Sequence, residues 1–246
     1  MPILEGTEVT KYFGGLAAVS HVDFHVEQGE IFGLIGPNGA GKSTLFNLIS
    51  AALTPKPGII KFKGVDITGI KPNRICRMGL ARTFQNVKIF SNMSVLDNVL
   101  MGSFFGSSAK IAASRARQEA EETLAFVGLS GVKESPSADL TLSNQKRLEV
   151  ARALATKPDV LMLDEMMEGL NQSEVSQSMD LVTRIRNEKG VTVIMIEHVM
   201  KAIMNMCDRI MVLHHGAKIA DGTPREIVAD ETVMKVYLGD HARAVC

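Results

Sequence analysis

The sequence predicts an α/β fold in which a parallel sheet forms the core, with a small antiparallel β part and an inserted helical subdomain. Two wholly apolar runs, residues 31–35 (IFGLI) and 160–163 (VLML), are each followed by apolar residues at helical spacing, which is typical of buried parallel strands and their crossover helices. Near the N-terminus polar and apolar residues alternate, as in VDFHV at 22–26, which predicts antiparallel strands with one exposed face. From about residue 95 to 154 helical signals replace strand signals.

The elements of the first third of the chain follow in order. After the N-terminal strands and the apolar strand at 31–35, residues 59–63 and 65–67 flank Gly64 and predict a hairpin. The segment 81–84 (ARTF) is expected to lie where the antiparallel part gives way to the helical stretch.

Within the helical stretch, charged residues are spaced for one exposed helix face. Arg115 and Glu119 lie four positions apart, as do Arg117 and Glu121. The opposite face is apolar, so a half-exposed helix is expected over about residues 115–129, with its buried face formed by Ala116, Ala120, Leu124 and Val127.

After the strand at 160–163, a helix with an apolar stripe is expected to begin at a cap formed by Asn171 and Glu174 and to end at Gly190. The next buried strand is expected at 191–196.

The C-terminal part predicts a hairpin and a capped helix. Residues 210–213 and 218–220 flank a turn at 214–217. Thr223 and Glu226 have the capping-box spacing, with a proline at the first helical position between them.

Composition limits the classes of function. The 246 residues carry 27 Lys plus Arg and 27 Asp plus Glu, so no net charge draws the chain to nucleic acid or an anionic membrane, and no nucleic-acid partner is expected. The cysteines Cys76, Cys207 and Cys246 fit neither a metal site nor a disulfide framework and are expected to be reduced thiols. Because the N-terminus lacks the pattern of a signal peptide and no stretch of about 18 apolar residues occurs, a soluble intracellular chain is expected, which can still bind a membrane protein peripherally.

The strongest functional signal is the segment GPNGAGKST, which fits the phosphate-binding P-loop pattern G-x-x-x-x-G-K-[ST]. Glycines let the backbone turn its N–H groups toward an anion, and the helix that follows adds the positive end of its dipole. Lys42 is expected to meet the β- and γ-phosphates and Ser43 to bind Mg²⁺. The expected nucleotide-binding residues of this loop are Gly36, Pro37, Asn38, Gly39, Ala40, Gly41, Lys42, Ser43 and Thr44.

Asp164 and Glu165 end the second apolar run, at the edge of a parallel sheet where ligands bind. Asp164 can hold Mg²⁺ and Glu165 can act as the general base for an attacking water. Such a run is common by itself, but it is much more specific after a P-loop.

Gln85 and His198 are two further polar residues that can contact the γ-phosphate or Mg²⁺. An amide at Gln85 can coordinate Mg²⁺ and respond to the γ-phosphate. His198 follows the strand at 191–196 and can donate to the γ-phosphate or orient Glu165, although a lone histidine is more often a surface or capping residue. The candidate catalytic residues are therefore Glu165, His198 and Lys42.

Taken together, these motifs resemble the ATP-binding cassette (ABC) ATPases. Phe13 in KYFG resembles the aromatic residue that stacks on adenine in that family, Gln85 its Q-loop, EGLN at 168–171 its D-loop and His198 its switch histidine. The resemblance covers nearly the whole chain and implies a P-loop (RecA-like) core, ATP and Mg²⁺ as cofactors, and two cassettes that close head to tail on ATP. The expected organisation is one cassette over 1–246, with a nucleotide-binding core at about 1–85 and 156–246 and a helical subdomain at about 86–155.

The family's signature, Leu-Ser-Gly-Gly-Gln, is altered here to LTLSN at 140–144. Thr141 keeps a hydroxyl, while Leu142 and Ser143 replace both glycines and add a Cβ where the backbone approaches the partner's γ-phosphate. Thr141 or Ser143 can still cap the following helix and contact nucleotide. The bases that follow, Lys146 and Arg147, are expected either to contact phosphate or to be solvated. Residues 160–165 resemble the family's Walker B motif, and the usual proline after that motif is replaced by methionine at 166.

Within the family, segments such as ARTFQ at 81–85 and YLG at 237–239 resemble the branched-chain amino acid uptake ATPases, a branch that also serves urea or short amides. This resemblance implies an importer ATPase at the cytoplasmic face of the inner membrane. Its implied partners are a second cassette, identical or not, integral membrane permease subunits and, indirectly, an extracytoplasmic solute-binding protein. Phe90, Met93 and Val95 are expected either to line the groove for the permease or to pack in the core.

Three alternatives remain at this point. An exporter cassette carries the same motifs. An ATP-dependent regulatory module would have weak hydrolysis, although Lys42, Asp164, Glu165 and His198 argue against a purely binding role. A mechanical ATPase of DNA repair or translation usually needs a coiled-coil insertion or two cassettes, which this length does not accommodate.

Overall fold

The structure is a computed structural model that describes residues 2–106 and 111–242. Its strands are β1 Pro2–Phe13, β2 Leu16–Glu27, β3 Ile31–Ile35, β4 Ile59–Phe62, β5 Val65–Asp66, β6 Leu80–Arg82, β7 Val160–Asp164, β8 Thr192–Ile196, β9 Arg209–His214 and β10 Ala217–Gly222. Its α-helices are α1 Lys42–Ile49, α2 Pro72–Met78, α3 Val95–Phe105, α4 Ala113–Phe126, α5 Leu142–Leu154, α6 Gln172–Lys189, α7 Met200–Met206, α8 Pro224–Ala229 and α9 Glu231–Ala242. The predicted mixed α/β fold is confirmed.

The chain divides into two compact units. The terminal unit contains the residues through Lys71 and those from Thr192 onward, and the middle unit is Pro72–Val191.

The terminal unit contains the predicted antiparallel sheet, with strand order β2-β1-β4-β5. Val22, Phe24 and Val26 of β2 are buried while the residues between them are exposed, as the alternation predicts. The predicted hairpin of β4 and β5 turns at Lys63 and Gly64, whose φ angles are 51° and 75°. Positive φ at both central residues is the requirement of the tight hairpin turn that matches strand twist.

The same unit contains parallel strands, with β3 paired to β8 on one side and β9 on the other. All residues of β3 and β8 are buried, which explains their continuous apolar sequences. The predicted C-terminal hairpin is confirmed as β9 and β10, but its turn is shorter than expected and consists of His215 and Gly216. The P-loop segment joins β3 to α1, as predicted.

In the middle unit, β6 pairs in parallel with β7, Leu80 lying opposite Val160. The antiparallel part was expected to give way to the helical stretch at residues 81–84, but the four-stranded antiparallel sheet ends at Asp66 and Leu80–Arg82 belongs to a parallel pair. Three residues are too few to show a period, and only the partner strand identifies them.

Helices α3, α4 and α5 of this unit contact one another. As predicted, α4 buries Ala116, Ala120 and Leu124 and exposes its ion pairs, with Arg115 Nε 3.0 Å from Glu119 Oε1. Of the three residues expected to line a groove or the core, Val95 is fully buried, whereas the ring of Phe90 is 45% exposed.

The predicted caps are present. Asn171 and Glu174 form a complete capping box at the start of α6, and the helix ends at Gly190 with φ 67°. Thr223 and Glu226 form a second capping box at α8. Across the described ranges, no helix is both long enough and apolar enough to cross a membrane.

Candidate functional site

The P-loop segment of the terminal unit depends on glycine at two positions. Gly36 has φ 151° and Gly41 φ 104°, angles that side-chain-bearing residues rarely adopt. A Cβ at Gly36 would lie 2.2 Å from the carbonyl oxygen of Leu213, and a Cβ at Gly41 would lie 2.3 Å from that of Ala18. The loop therefore packs directly against two strand backbones and leaves no room for side chains there.

Lys42 begins α1 immediately after this loop. Its side chain is buried, and Nζ donates to the carbonyl oxygens of Gly36 at 2.7 Å and Pro37 at 3.1 Å. The ammonium is thus held over the loop, beside the helix N-terminus, where two sources of positive potential favour an anion. Within the loop Asn38 and Gly39 are exposed, and Ser43 is exposed beyond Lys42.

Phe13 and His198 are also in the terminal unit. Phe13 is the last residue of β1, and its ring is 50% exposed, with Lys11 Nζ 5.9 Å from the ring centroid. The neighbouring Tyr12 is 49% exposed, so exposure does not distinguish the two rings. His198 is exposed in the segment between β8 and α7.

In the middle unit, Asp164 ends β7 with a buried side chain. Arg82 Nη2 lies 2.6 Å from its Oδ2. The backbone N–H of Asp164 donates to Thr83 Oγ1 at 3.2 Å. Among the described residues, Asp164 Oδ1 is buried without a hydrogen-bond partner. One carboxylate oxygen is therefore fixed by Arg82, and the other is a hard oxygen donor that a cation can use.

Glu165 follows with a buried side chain and a left-handed backbone, φ 51°. Gln85 Nε2 donates to Glu165 Oε2 at 2.7 Å. The structure thus brings together two residues that the sequence suggested separately, and it adds Arg82, which the sequence analysis missed. The available signal was a cation at the end of a short apolar strand, which becomes meaningful only once that strand is known to pair with β7.

Of the altered signature, Thr141 is the N-cap of α5, and its hydroxyl accepts from Asn144 N–H at 3.4 Å. Ser143 is buried in the first turn, whereas Leu142 is 46% exposed. Thr141 is exposed, so its capping oxygen lies at the surface of the middle unit.

The expectation that Lys146 is solvated was wrong, while its contact with phosphate stays a prediction. This lysine is 6% exposed, and Nζ donates to the backbone carbonyl oxygens of Glu165 at 3.0 Å and Glu168 at 2.7 Å. Arg147 donates to the side chain of Gln177. The helix start therefore places one of its two bases in the interior, against the turn that follows β7.

Comparison with known proteins identifies the family of this chain. A family profile described as ABC transporter matches residues 19–168. The chain belongs to the ABC transporter family. Its members are ATP-binding cassettes that hydrolyse ATP to power transport, which agrees with the P-loop and the carboxylates described above. A second profile, described as branched-chain amino acid ATP-binding cassette transporter, matches residues 217–243 of this ABC cassette.

Two relatives of this cassette match over almost their whole length. The chain is 40% identical over 251 residues to the high-affinity branched-chain amino acid transport ATP-binding protein BraF of Pseudomonas aeruginosa, covering 97% of this chain and 98% of the relative. It is 38% identical to LivG of Escherichia coli (strain K12), which has the same description, with the same coverages.

A solved structure of an ABC transporter cassette in its ADP conformation superposes with a TM-score of 0.87 at 30% identity. The match covers 97% of this chain and 99% of that cassette. The ABC ATPase fold expected from the sequence is therefore confirmed.

Proposed function

We propose that this cassette is the ATP-hydrolysing subunit of an importer for branched-chain amino acids and works at the cytoplasmic face of the cell membrane. The similarity to BraF and LivG over nearly the full length carries this proposal, and the match at residues 217–243 supports it independently in the C-terminal part. The ATPase chemistry is supported by the buried Asp164 and Glu165 with their polar partners.

The nucleotide contacts are assigned from the P-loop segment outward. Backbone N–H groups of residues 38–44 and the ammonium of Lys42 bind the phosphates, since the glycine backbone and the start of α1 supply donors and positive potential. The half-exposed ring of Phe13 stacks on adenine.

Mg²⁺ is assigned to oxygen donors. Asp164 Oδ1, Ser43 Oγ and the Gln85 side-chain oxygen are hard ligands of the kind that Mg²⁺ prefers, and the unpartnered Oδ1 is the structural feature that fits the ion best. When bound, Mg²⁺ neutralises charge on the β- and γ-phosphates. Arg82 orients Asp164 by holding its other carboxylate oxygen.

Hydrolysis is assigned to Glu165 as general base. Its carboxylate takes a proton from water as that water attacks the γ-phosphorus and the bond from this phosphorus to the bridging oxygen breaks, releasing ADP. The hydrogen bond from Gln85 keeps Oε2 in a defined place. His198 donates to the γ-phosphate. Thr141 and Ser143 belong to the segment that contacts the ATP of a second cassette in a head-to-tail dimer.

The middle unit also offers a surface for the permease subunits. A groove of about 320 Å³ is lined by Phe84, Phe90, Phe105, Glu149 and Arg152 among others. Asn98, fully buried, accepts from Phe90 N–H at 2.8 Å and donates to its carbonyl oxygen at 3.1 Å, which holds the backbone that carries the exposed ring. Burial raises the pKa of Glu149, which lines this groove. We assign the groove to a permease segment and expect the solute-binding protein to act through the permease.

The two units are proposed to serve as one cassette, with the helical subdomain at about residues 86–155. The similarity to BraF and LivG favours an importer over an exporter. The buried Glu165, which accepts a hydrogen bond from Gln85, favours hydrolysis over a purely regulatory module.

The deciding experiment is reconstitution of the complete membrane complex in liposomes with its solute-binding protein. We expect leucine, isoleucine or valine to stimulate ATP hydrolysis and to enter the liposomes. Stimulation by urea or short amides alone would contradict the proposed solute, while ATP-dependent exit of solute would contradict import.

A further inference from the structure

Lys146 is a buried cation whose ammonium contacts backbone carbonyl oxygens of the turn after β7. It lies on the second turn of α5 and is 6% exposed, and its ammonium donates to two carbonyl oxygens of the turn after β7, those of Glu165 and Glu168. Hydrogen bonds that involve a charged donor are stronger than neutral ones. A buried ammonium with such partners constrains the turn in space.

The turn that Lys146 holds contains an unfavourable backbone conformation. Glu165 has φ 51°, and residues with a Cβ occupy this left-handed region only at a steric cost. Such a conformation persists where surrounding contacts determine it. The Glu165 N–H and carbonyl belong to the peptide groups that set the direction of its side chain, and that side chain meets Gln85 at 2.7 Å.

A second contact joins the same two segments. A Cβ built at Gly169 would lie 3.2 Å from Cδ2 of Leu142, so the turn and the start of α5 touch directly at this point. Gly169 has φ 75° and closes the turn. The altered signature and the Glu165 turn are therefore in contact within the middle unit, with Lys146 as the polar link.

We propose that Lys146 is a positioning residue for Glu165: by binding the carbonyl oxygens of Glu165 and Glu168 it fixes the strained turn so that the Glu165 carboxylate meets the attacking water. This inference rests on the proposed role of Glu165 as general base. The same contacts link the start of α5, where the second cassette's ATP is expected, to Glu165, the proposed general base for this chain's own ATP.

The test removes the ammonium and keeps the volume of the stem. In Lys146→Met we expect kcat for ATP hydrolysis to fall by about 100-fold, since displacement of a catalytic group by about 1 Å costs that much. The KM for ATP and the affinity for a fluorescent ATP analogue should change by less than about twofold, because the P-loop is untouched. Lys133→Met is the matched control, since it removes a half-exposed lysine that pairs with Glu121 at 2.9 Å in the same unit, and its kcat should equal the parent's.

A double-mutant cycle separates positioning from a general structural role. Single-turnover hydrolysis is measured for Glu165→Gln and for Glu165→Gln with Lys146→Met. If Lys146 acts through the Glu165 carboxylate, adding Lys146→Met to Glu165→Gln lowers the residual rate by less than about twofold, because no base remains to be positioned. A further fall of tenfold or more would overturn the proposal, and so would a parental kcat in Lys146→Met.

Thermal unfolding of each variant shows whether it is folded at the assay temperature. Should Lys146→Met be unfolded there, Lys146→Arg supplies the second variant, since its guanidinium keeps the charge and the donors. We then expect a kcat loss with unchanged nucleotide affinity, as the longer fork displaces the turn, and parental kcat would contradict the proposal. Failure of the base assignment itself is recognised separately, as parental turnover in Glu165→Gln alone.

Discussion

At the scale of single residues, Glu165 combines burial, a left-handed backbone and a hydrogen bond from Gln85. A carboxylate in such surroundings is oriented before substrate arrives, which is what a general base needs. Its chemistry can be removed with little change of shape by exchanging one carboxylate oxygen for an amide nitrogen.

For Glu165→Gln we expect ATP binding to persist while turnover falls by about 10²- to 10⁴-fold, the usual contribution of general base catalysis. The measurements are steady-state phosphate release and binding of a fluorescent ATP analogue. Glu188→Gln is the control, because Glu188 is an exposed carboxylate on α6 that pairs with Arg184. A rate within twofold of the parent would show that another group activates the water.

Phe13 and Tyr12 offer a paired comparison of aromatic rings. The two are adjacent on β1 and 50% and 49% exposed, so substitution costs similar exposed surface in each. We expect Phe13→Ala to weaken ATP binding by about 1 to 3 kcal/mol, the size of base stacking on an aromatic side chain, and Tyr12→Ala to leave it nearly unchanged. Calorimetric titration measures both, and the reverse order would make Tyr12 the adenine platform.

The ion pair of Arg82 and Asp164 joins the end of β6 to the end of β7. Both side chains are nearly buried, at 10% and 5% exposure, so removal of the cation leaves an uncompensated carboxylate. We expect Arg82→Met to lower the free energy of unfolding by about 3 to 5 kcal/mol, the cost of breaking a buried pair. Urea unfolding gives this value.

Arg115→Met supplies the control for that experiment, because Arg115 pairs with Glu119 at the surface of α4. Its loss should be below about 1 kcal/mol, as for exposed ion pairs. Equal losses in the two variants would mean that the Arg82 pair is not specially important to the middle unit.

At the scale of elements, α6 begins at a complete capping box between Asn171 and Glu174. Asn171→Ala removes the oxygen that accepts from Glu174 N–H at 3.0 Å, and we expect a loss of about 1 kcal/mol in unfolding free energy. The same substitution at the exposed Asn187 in the last turn of α6 should cause no loss, since alanine is the better helix former. Thermal or urea unfolding compares them, and equal effects would contradict a specific role for the cap.

Elements were predictable from the sequence where their causes are local. The glycines of residues 36–41, the capping pairs and the alternating burial of β2 all follow from neighbouring residues. The strand β6 could not be predicted from the sequence, because its three residues are identified as a strand only by their pairing with β7. Arg82 and Lys146 were missed or misassigned for the same reason, since their partners lie 82 and at least 19 positions away and are chosen by the tertiary fold.

At the scale of the whole molecule, we propose that the altered signature affects how two cassettes meet. Restoring both glycines, in Leu142→Gly with Ser143→Gly, should let ATP-bound cassettes dimerise at lower concentration, since the added Cβ atoms are gone. The assay is size-exclusion chromatography with ATP in the Glu165→Gln background. Dimerisation at unchanged or higher concentration would show that Leu142 and Ser143 do not impair the signature.

The two glycines should also lower the stability of the chain by about 1 to 2 kcal/mol, because each weakens the start of α5. Ser176→Gly, at an exposed position of α6, measures the cost of a helix glycine away from the signature. Its dimerisation should match that of the Glu165→Gln parent, which separates the helix penalty from the effect on the interface.

The walls of the P-loop segment have a consequence for how this cassette can vary. The atoms that a Cβ at Gly36 or Gly41 would strike are the main-chain oxygens of Leu213 and Ala18. Every amino acid carries that oxygen, so the side chains at positions 213 and 18 can be exchanged without opening the wall, provided that the strands keep their course. Mutational scanning should therefore find that the buried position 213 accepts other apolar side chains and the half-buried position 18 a wider range, whereas the two glycines facing them accept no substitute. The shape of the loop therefore depends on the backbone path of the two strands and not on which side chains those strands carry.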